Sequence, residues 1–174
     1  GLSADGKATV LNAGVGSPSI MAASGFMKIP DNGVDTFAME GIADHPYDID
    51  NQRLAYGRKE PGPSVWFWRS VGHSQNAFFI ESFIDEIAAK TKREPLSFRM
   101  SMLGSDVRLA ACLQRAAQLA GWDGGADQSG QGLACARIGE GPEAGRIACV
   151  ATARQGEGGV RVIRLSVAAD IGRI

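Results

Sequence analysis

The fold is decided by the stretch Ser74-Gln75-Asn76-Ala77-Phe78-Phe79-Ile80-Glu81-Ser82-Phe83-Ile84-Asp85-Glu86-Ile87-Ala88. Its apolar residues recur at steps of three and four, which predicts an amphipathic helix of about four turns. Ser74 is the predicted N-cap. The acidic residues Glu81, Asp85 and Glu86 fall largely between the apolar positions, so we interpret them as a solvated face and not as paired catalytic carboxylates.

Two helices and three strands are predicted after this helix. Glu94-Pro95-Leu96 starts a short helix, and residues 106–120 form a longer one that Gly121 ends as the C-cap. Beyond Gly121 the apolar period changes from 3.6 to 2, which predicts strands at residues 132–138, around residues 147–153 and from Val160 onward. Apolar residues change parity in the last strand, so we expect a β-bulge near Val162-Ile163.

The part before the helix is predicted to be less regular. Residues 7–12, 51–58 and 64–69 are predicted strands, the last of them buried on at least one face because it is rich in aromatic and β-branched residues. Residues 13–32 are rich in Gly, Ser and Pro and are predicted to be mostly loop. The fold class is therefore α+β, with helices packed on a largely antiparallel sheet.

Composition and charge limit the classes of function. The 174 residues are 44% apolar and 21% charged, which indicates one globular domain over residues 1–174. A net charge of −1 argues against a nucleic-acid-binding protein. The three cysteines form neither a disulfide framework nor a zinc motif. The 23 glycines predict many tight turns, and both ends look cut, so we expect a fragment of a larger protein.

The junction between the third predicted strand and the helix carries the candidate chemistry. Backbone N–H groups and the positive end of the helix dipole converge there, which favours an anion or an oxo group. Arg69 adds a permanent cation, and Gly72 would allow close approach of a ligand. The alternative, which helix-terminus physics alone favours, is that Arg69 pairs with a carboxylate, Gly72 turns the chain, and Gln75 and Asn76 cap the helix.

Other side chains near the junction also have two interpretations. His73 is either an acid–base group or ligand, or a surface or capping residue, and the second is commoner at a helix start. Trp66 and Trp68 either stack on a flat cofactor or pack in the core. His45 has no partner pattern, and no metal-ligand cluster, serine triad or dinucleotide motif occurs in the sequence.

One run of residues resembles a known family. The run Trp68-Arg69-Ser70-Val71-Gly72-His73-Ser74-Gln75-Asn76-Ala77-Phe78, followed by residues 81–86 and 94–99, resembles the molybdopterin-binding large subunit of the xanthine dehydrogenase/aldehyde oxidase family. Within that family it is most similar to isoquinoline 1-oxidoreductase beta subunits and related membrane-associated aldehyde dehydrogenases. The similarity extends from about Tyr47 to the closing residues 160–172.

The resemblance implies the reaction and its partners. Such an enzyme hydroxylates an aldehyde or N-heteroaromatic substrate with oxygen from water, and electrons pass from molybdenum to iron–sulfur clusters on another subunit or domain. The implied partners are the remainder of the same subunit and a small iron–sulfur subunit, and the resemblance also allows a cytochrome. Relatives of this branch are often exported or tied to membranes, so a periplasmic or membrane-associated parent is compatible with it.

The resemblance also implies roles for individual residues. Arg69 and its neighbouring backbone amides would line the molybdenum site, and Val71 would lie beside the substrate. The implied cofactor-binding residues are Trp68, Arg69, Ser70, Gly72, His73, Ser74 and Gln75. Ser70 stands where wider family members have Gly, and Val71 stands where an aromatic residue is frequent, and both departures fit the isoquinoline-type branch.

Part of the family's machinery has no counterpart in these residues. The general-base glutamate and further cofactor-binding glycine stretches lie elsewhere in the full subunit. We therefore expect the isolated chain to be inactive and to lack the cofactor or bind it weakly. The alternative hypothesis is a non-catalytic interaction or structural module, in which the aromatic residues and glycine-rich loops form an interface with a partner.

Overall fold

The structure is a computed structural model that describes residues 1–59, 62, 64–125, 128–139 and 141–172. In chain order its elements are β1 (Val10–Ser17), α1 (Ile20–Ser24), α2 (Thr36–Met39), β2 (Asn51–Arg58), α3 (His73–Lys90), α4 (Pro95–Met100), α5 (Val107–Ala120), β3 (Gln131–Ile138), a 3₁₀ turn (Gly141–Glu143), β4 (Gly145–Gly156) and β5 (Gly159–Asp170). The α+β class is confirmed by this content of helices and strands.

The chain divides into two compact units, and the boundary falls inside α3. The first unit comprises Gly1–His45 and Ile49–Ile80, and the second comprises Pro46–Asp48 and the residues from Glu81 onward. The expectation of a single domain within a larger subunit stays a prediction.

In the first unit, β1 and β2 form a two-stranded parallel sheet in which Val10 pairs with Asn51 and Ser17 with Arg58. Two buried side chains fix the short helices beside it. Ser19 caps α1 by accepting from the Ala22 N–H, and Asp35 caps α2 by accepting from the Ala38 N–H. The same Asp35 carboxylate accepts from the Ser19 hydroxyl at 2.6 Å, so one fully buried acid ties the two helix starts together.

In the second unit, α4 and α5 confirm the prediction in detail. Pro95 is at the first turn of α4, and Gly121 ends α5 in a left-handed conformation. The apolar face is formed by side chains that are 0–1% exposed: Phe98, Met102, Leu103, Leu109 and Leu113. Asp106 caps α5 through the Leu109 N–H and binds Arg146 of β4 at 2.6 Å. The cap therefore also fixes the helix against the sheet.

The strands β3, β4 and β5 form an antiparallel sheet in that order. Its register breaks between Thr152 and Ala153, where Arg164 and Val162 are the respective partners and Ile163 is the extra residue. The bulge predicted near Val162-Ile163 is confirmed. The bulge brings Val160 and Val162, which have even residue numbers, onto the same sheet face as the odd-numbered Leu165 and Val167. In a regular strand, even-numbered and odd-numbered residues would lie on opposite faces.

One face of this sheet carries side chains that contact α5, such as Arg164, which donates to the Leu119 carbonyl oxygen at 2.6 Å. We call the other face the open face. Apart from Gln155 and two glycines, its described side chains are apolar: Ala134, Ala136, Ile138, Ile147, Cys149, Ala151, Ala153, Val160, Val162, Leu165, Val167 and Ala169. Val162 is 59% exposed and Leu165 is 62% exposed, so the alternation of the strands does not follow the usual rule that the outer face is polar.

Two predictions for the first unit are wrong. Residues 64–68 form no strand, and Trp66 and Trp68 are 58% and 82% exposed instead of being buried on a strand. Aromatic content raised the strand propensity there, but propensity without a pairing partner does not make a sheet. The prediction that residues 13–32 are mostly loop is wrong for the first part of that range, because β1 continues to Ser17 and α1 follows it, and it is confirmed for residues 25–32. The strand at Asn51–Arg58 is confirmed.

The interpretation of Glu81 as a solvated residue is also wrong. Its side chain is buried, and its carboxylate accepts hydrogen bonds from the Tyr47 hydroxyl, from the Cys135 N–H at 2.9 Å and from Arg99 Nε at 3.0 Å. Arg99 is fully buried and also donates to Asp85 at 2.6 Å. Burial raises the pKa of the Cys135 thiol well above its usual range, so this cysteine is an inert part of the core.

Candidate functional site

The site predicted at the start of α3 lies wholly in the first unit, and a short turn leads into it. The Val71 N–H donates to the Trp68 carbonyl oxygen at 2.9 Å. Inside that turn Ser70 has a φ of 70° and Val71 has a φ of 39°. Positive φ is costly for residues other than glycine and most of all for a β-branched one, so the surrounding structure must hold this turn in place.

Gly72 is buried against the end of α2. A β-carbon at this position would lie 2.1 Å from the Phe37 carbonyl oxygen and 3.0 Å from the Glu40 β-carbon. Its N–H donates to Glu40 Oε2 at 3.3 Å. The close approach that the glycine permits is therefore to the chain's own backbone, and contact between Gly72 and a cofactor stays a prediction.

His73 lies between two carboxylates. Its Nε2 is 2.9 Å from Asp44 Oδ2, and its Nδ1 is 3.6 Å from Glu40 Oε2. The side chain is buried, so the interpretation of His73 as a surface or capping residue is wrong. Burial raises the pKa of the Glu40 carboxyl, and the hydrogen bond from the Gly72 N–H and the neighbouring His73 ring oppose that shift.

Asn76 holds the two helices together one turn further along α3. Its side-chain amide is fully buried and donates to the carbonyl oxygens of Ala38 at 2.8 Å and Glu40 at 2.7 Å. These are terminal carbonyl oxygens of α2, which lack partners inside that helix. Gly41 has a φ of 83°, and a β-carbon there would lie 3.1 Å from the His73 α-carbon. Asn76 therefore caps α2 from outside and does not cap its own helix.

The remaining predicted site residues point to solvent. Trp68, Arg69, Ser70, Ser74 and Gln75 are exposed, and Val71 is half-buried. Within the described ranges, Arg69 forms no ion pair. Ser74 is not the N-cap, because α3 already begins at His73 and the Ser74 hydroxyl donates to the Arg69 carbonyl oxygen at 3.0 Å.

The arrangement provides a cation and hydroxyl and amide donors at the positive end of an 18-residue helix. Such a set can bind an anionic or oxo-rich group. In the part of the chain that the structure describes, no cluster of three or more His, Cys, Asp or Glu side chains is suited to hold a metal ion.

Sequence reasoning missed Glu40 and Asp44, and it assigned Asn76 to capping its own helix instead of α2. The first two lie in a turn after a four-residue helix, and no local pattern links them to His73 about thirty positions later. A signal did exist for Glu81. It lies four residues after Ala77 and three before Ile84, which places it on the buried stripe of α3.

None of the helices in the described part of the chain has the length and apolarity needed to span a bilayer.

Comparison with known proteins gives two partial matches. The chain is 30% identical over 88 residues to "Isoquinoline 1-oxidoreductase subunit beta" of Brevundimonas diminuta, a match that covers 51% of this chain and 11% of that protein. It is 27% identical over 129 residues to "Membrane-bound aldehyde dehydrogenase [pyrroloquinoline-quinone]" of Gluconacetobacter polyoxogenes, which covers 63% and 17%. The chain thus spans less than a fifth of the length of either relative. No family model matches it.

Proposed function

We propose that this chain is part of the large subunit of a molybdenum hydroxylase, an oxidoreductase that acts on an aldehyde or an N-heteroaromatic compound. Two partial relatives carry oxidoreductase names, one for an isoquinoline and one for an aldehyde. The observation that carries the proposal is the run of residues 68–78, which resembles the cofactor-binding stretch of that family and comprises a turn with positive φ angles and the first residues of α3.

The residues at this turn fit an anionic, oxo-rich cofactor. Arg69 is exposed and has no ion-pair partner among the described residues, so its charge is available to a ligand. Ser74 and Gln75 are exposed on the first turn of α3, where the helix dipole also favours negative charge. Trp68, which is 82% exposed, could lie flat against a pterin ring.

The proposal divides the predicted residues into two groups. Trp68, Arg69, Ser70, Ser74 and Gln75 would contact the cofactor, and half-buried Val71 would lie beside the substrate. Gly72 and His73 are turned toward α2, with the Gly72 N–H and both ring nitrogens of His73 facing carboxylates. We therefore assign Gly72 and His73 a role in holding the turn in place. Any contact of Gly72 with the cofactor would be made through its backbone.

When bound, the cofactor would supply the metal that inserts oxygen from water into the substrate and takes up two electrons. The chain's own residues would bind and orient it. Arg69 would stabilise negative charge on oxo groups, and the N-terminal amides of α3 would add fixed dipoles in the same direction. Iron–sulfur clusters on a partner subunit would accept the electrons, and the isolated chain would be inactive.

A second candidate function is a non-catalytic interaction module. It is favoured by exposed aromatic side chains near the turn, with Trp68 at 82% and Phe78 at 68% exposed. In that case Trp68 would bury its ring in a partner chain and Arg69 would serve the interface alone.

Cofactor analysis and one arginine variant test the proposal. We expect the purified protein that contains this chain to hold molybdenum and a pterin, and Arg69→Ala to abolish turnover while its unfolding midpoint stays unchanged. Arg53→Ala is the matched control, because Arg53 is exposed on β2 in the same unit. If Arg69→Ala keeps full turnover but weakens subunit assembly, the interaction module is correct.

The same analysis separates two cofactors. One relative carries pyrroloquinoline-quinone in its name, and the proposal chooses molybdopterin because residues 68–78 resemble a molybdopterin-binding stretch. A protein that yields the quinone and no molybdenum would contradict that choice.

A further inference from the structure

We infer that Glu40, together with Asp44 and His73, is a positioning residue that sets the conformation of the turn at residues 69–72 and through it the place of Arg69. This inference rests on the proposed function for its consequence in the enzyme. Its structural part concerns contacts within the first unit alone.

The first argument comes from what the Glu40 carboxylate contacts. Its Oε2 accepts from the Gly72 N–H at 3.3 Å and lies 3.6 Å from His73 Nδ1. One oxygen atom therefore accepts from the last residue of the turn and lies beside the ring of the first residue of α3. The Glu40 side chain is 29% exposed, so these contacts are partly shielded from water.

The second argument is that His73 is held from both sides. Asp44 Oδ2 lies 2.9 Å from Nε2, and Asp44 Oδ1 accepts from the Gly41 N–H at 2.5 Å. With its ring between Glu40 and Asp44, the imidazole would lose a contact with a carboxyl group on each side if it rotated. The side chain of His73 is only 9% exposed, and its orientation is fixed by these two acids.

The third argument is the strain of the turn. Ser70 and Val71 keep positive φ angles of 70° and 39°, although neither is a glycine. The backbone hydrogen bonds that hold these two residues include those from the Val71 N–H to the Trp68 carbonyl oxygen at 2.9 Å and from the Ser74 N–H to the Val71 carbonyl oxygen at 3.3 Å. Side-chain contacts add further restraint at both ends of the turn: the Ser74 hydroxyl donates to the Arg69 carbonyl oxygen at 3.0 Å, and the Glu40 carboxylate accepts from the Gly72 N–H.

Amide hydrogen exchange tests the structural part directly. In Glu40→Ala we expect the amides of Val71, Gly72 and Ser74 to exchange about tenfold faster, because a partly buried acceptor that holds the turn is lost. In Glu40→Gln the side-chain oxygen again accepts from Gly72, so we expect its exchange within about twofold of the wild type. Glu86→Gln, on the exposed side of α3, is the matched control and should change nothing.

Two results would overturn the inference. One is an unchanged exchange of these three amides in Glu40→Ala. The other is a loss of protection in Glu40→Gln as large as that in Glu40→Ala, which would mean that the hydrogen bond to Gly72 does not matter. His73→Gln supplies an independent variant and should also speed the exchange of Gly72.

A kinetic measurement on the holoenzyme tests the consequence for Arg69. Per bound molybdenum, Glu40→Ala should lower kcat about tenfold and leave KM unchanged, since a misplaced cation weakens charge stabilisation but not substrate binding. A role in stability alone would lower cofactor content and the unfolding midpoint together and leave kcat per molybdenum intact, which would overturn the inference. Absence of molybdenum would refute the proposed function, whereas the exchange result would still decide the positioning role.

Discussion

Glu81 is a buried acid on the apolar face of α3, and several core groups form hydrogen bonds to it. It is 6% exposed and receives hydrogen bonds from a tyrosine hydroxyl, a guanidinium and a backbone N–H. Arg99, its main partner, is fully buried and also contacts Asp85. Removing one member of such a group leaves the others without compensation in a dry environment.

Glu81→Ala should therefore destabilise the protein by about 3–5 kcal/mol, because the buried Arg99 charge would lose the carboxylate at its Nε and keep Asp85 and two backbone carbonyl oxygens as partners. The measurement is urea unfolding followed by circular dichroism. Glu86→Ala, five residues along the same helix on its exposed side, should stay within about 0.5 kcal/mol of the wild type. Equal losses in the two variants would show that the buried cluster does not stabilise the fold.

At the residue scale, the sequence predicts where a group lies better than what it contacts. The special backbone at Gly72 was expected, but the neighbour that requires it, the Phe37 carbonyl oxygen, is 35 positions away. The cation at Arg69 is expected either to pair with a carboxylate or to bind a ligand; it is exposed and forms no ion pair with the described residues, and the ligand stays a prediction. Partners that are remote in sequence leave no local pattern, so Glu40 and Asp44 could not be found.

At the element scale, a single extra residue in β5 determines which side chains of that strand lie on the open face of the sheet. Its first half places Val160 and Val162 on that face, and its second half places Leu165 and Val167 there. If β5 had no bulge, the alternation of a regular strand would place Arg161 on the open face. The bulge at Ile163 thus keeps a charge off that face while both arginines of the strand, Arg161 and Arg164, stay on the opposite side.

Deletion of Ile163 should be tolerated, because a regular strand would then place every remaining residue on the face it now occupies. We expect cooperative unfolding and a loss of no more than about 2 kcal/mol. Deletion of Val167 is the matched control: it would turn Arg164, Leu165 and Ser166 to the opposite faces and should cost much more. If the two deletions are equally harmful in thermal unfolding, the bulge has another role.

The elements that were predicted correctly share a property. The helices after Ser74 and the strands after Gly121 have clear periods of 3.6 and 2 and capping residues at their ends, such as Asp106 and Gly121. The stretch at residues 64–69 has neither alternation nor a pairing strand, and its aromatic residues alone suggested a strand. Periodicity reports packing against a neighbour, whereas composition does not.

At the scale of the whole molecule, each compact unit has its own core and its own charged contacts. In the second unit a bidentate ion pair links α5 to β5: Arg108 donates to both carboxylate oxygens of Asp170 at 2.6 Å. The Arg108 guanidinium lowers the pKa of Asp170 from 3.8 to about 2. Since the folded pKa is depressed, this carboxylate stabilises the fold above its ordinary pKa, and the contribution is lost as the pH falls through the folded value.

The pH range over which Asp170 stabilises the fold should appear when the free energy of unfolding of the wild type is compared with that of Asp170→Asn. The wild type should be more stable than the variant at pH 5, and the difference should shrink as the pH falls from about 4 to about 2. Urea unfolding at several pH values measures it, with Glu157→Gln in the exposed β4–β5 turn as the control. A difference that is constant down to pH 2 would mean that ionisation of Asp170 does not contribute.

The fold class was predictable at this scale, but the division into two units was not. The parallel pairing of β1 with β2 joins segments about forty residues apart, and nothing in either strand specifies the other. Antiparallel neighbours joined by a short turn, such as β4 and β5, are specified locally and were found.

The open face has a consequence for how the protein behaves with temperature. A surface without charge attracts other molecules through hydrophobic contact, and that attraction weakens on cooling. With Val160 at 72% and Leu165 at 62% exposed, solutions of this chain should turn cloudy when warmed and clear again in the cold. Sulfate should lower the temperature at which clouding begins, so cold buffers without such salts are the right conditions for handling it.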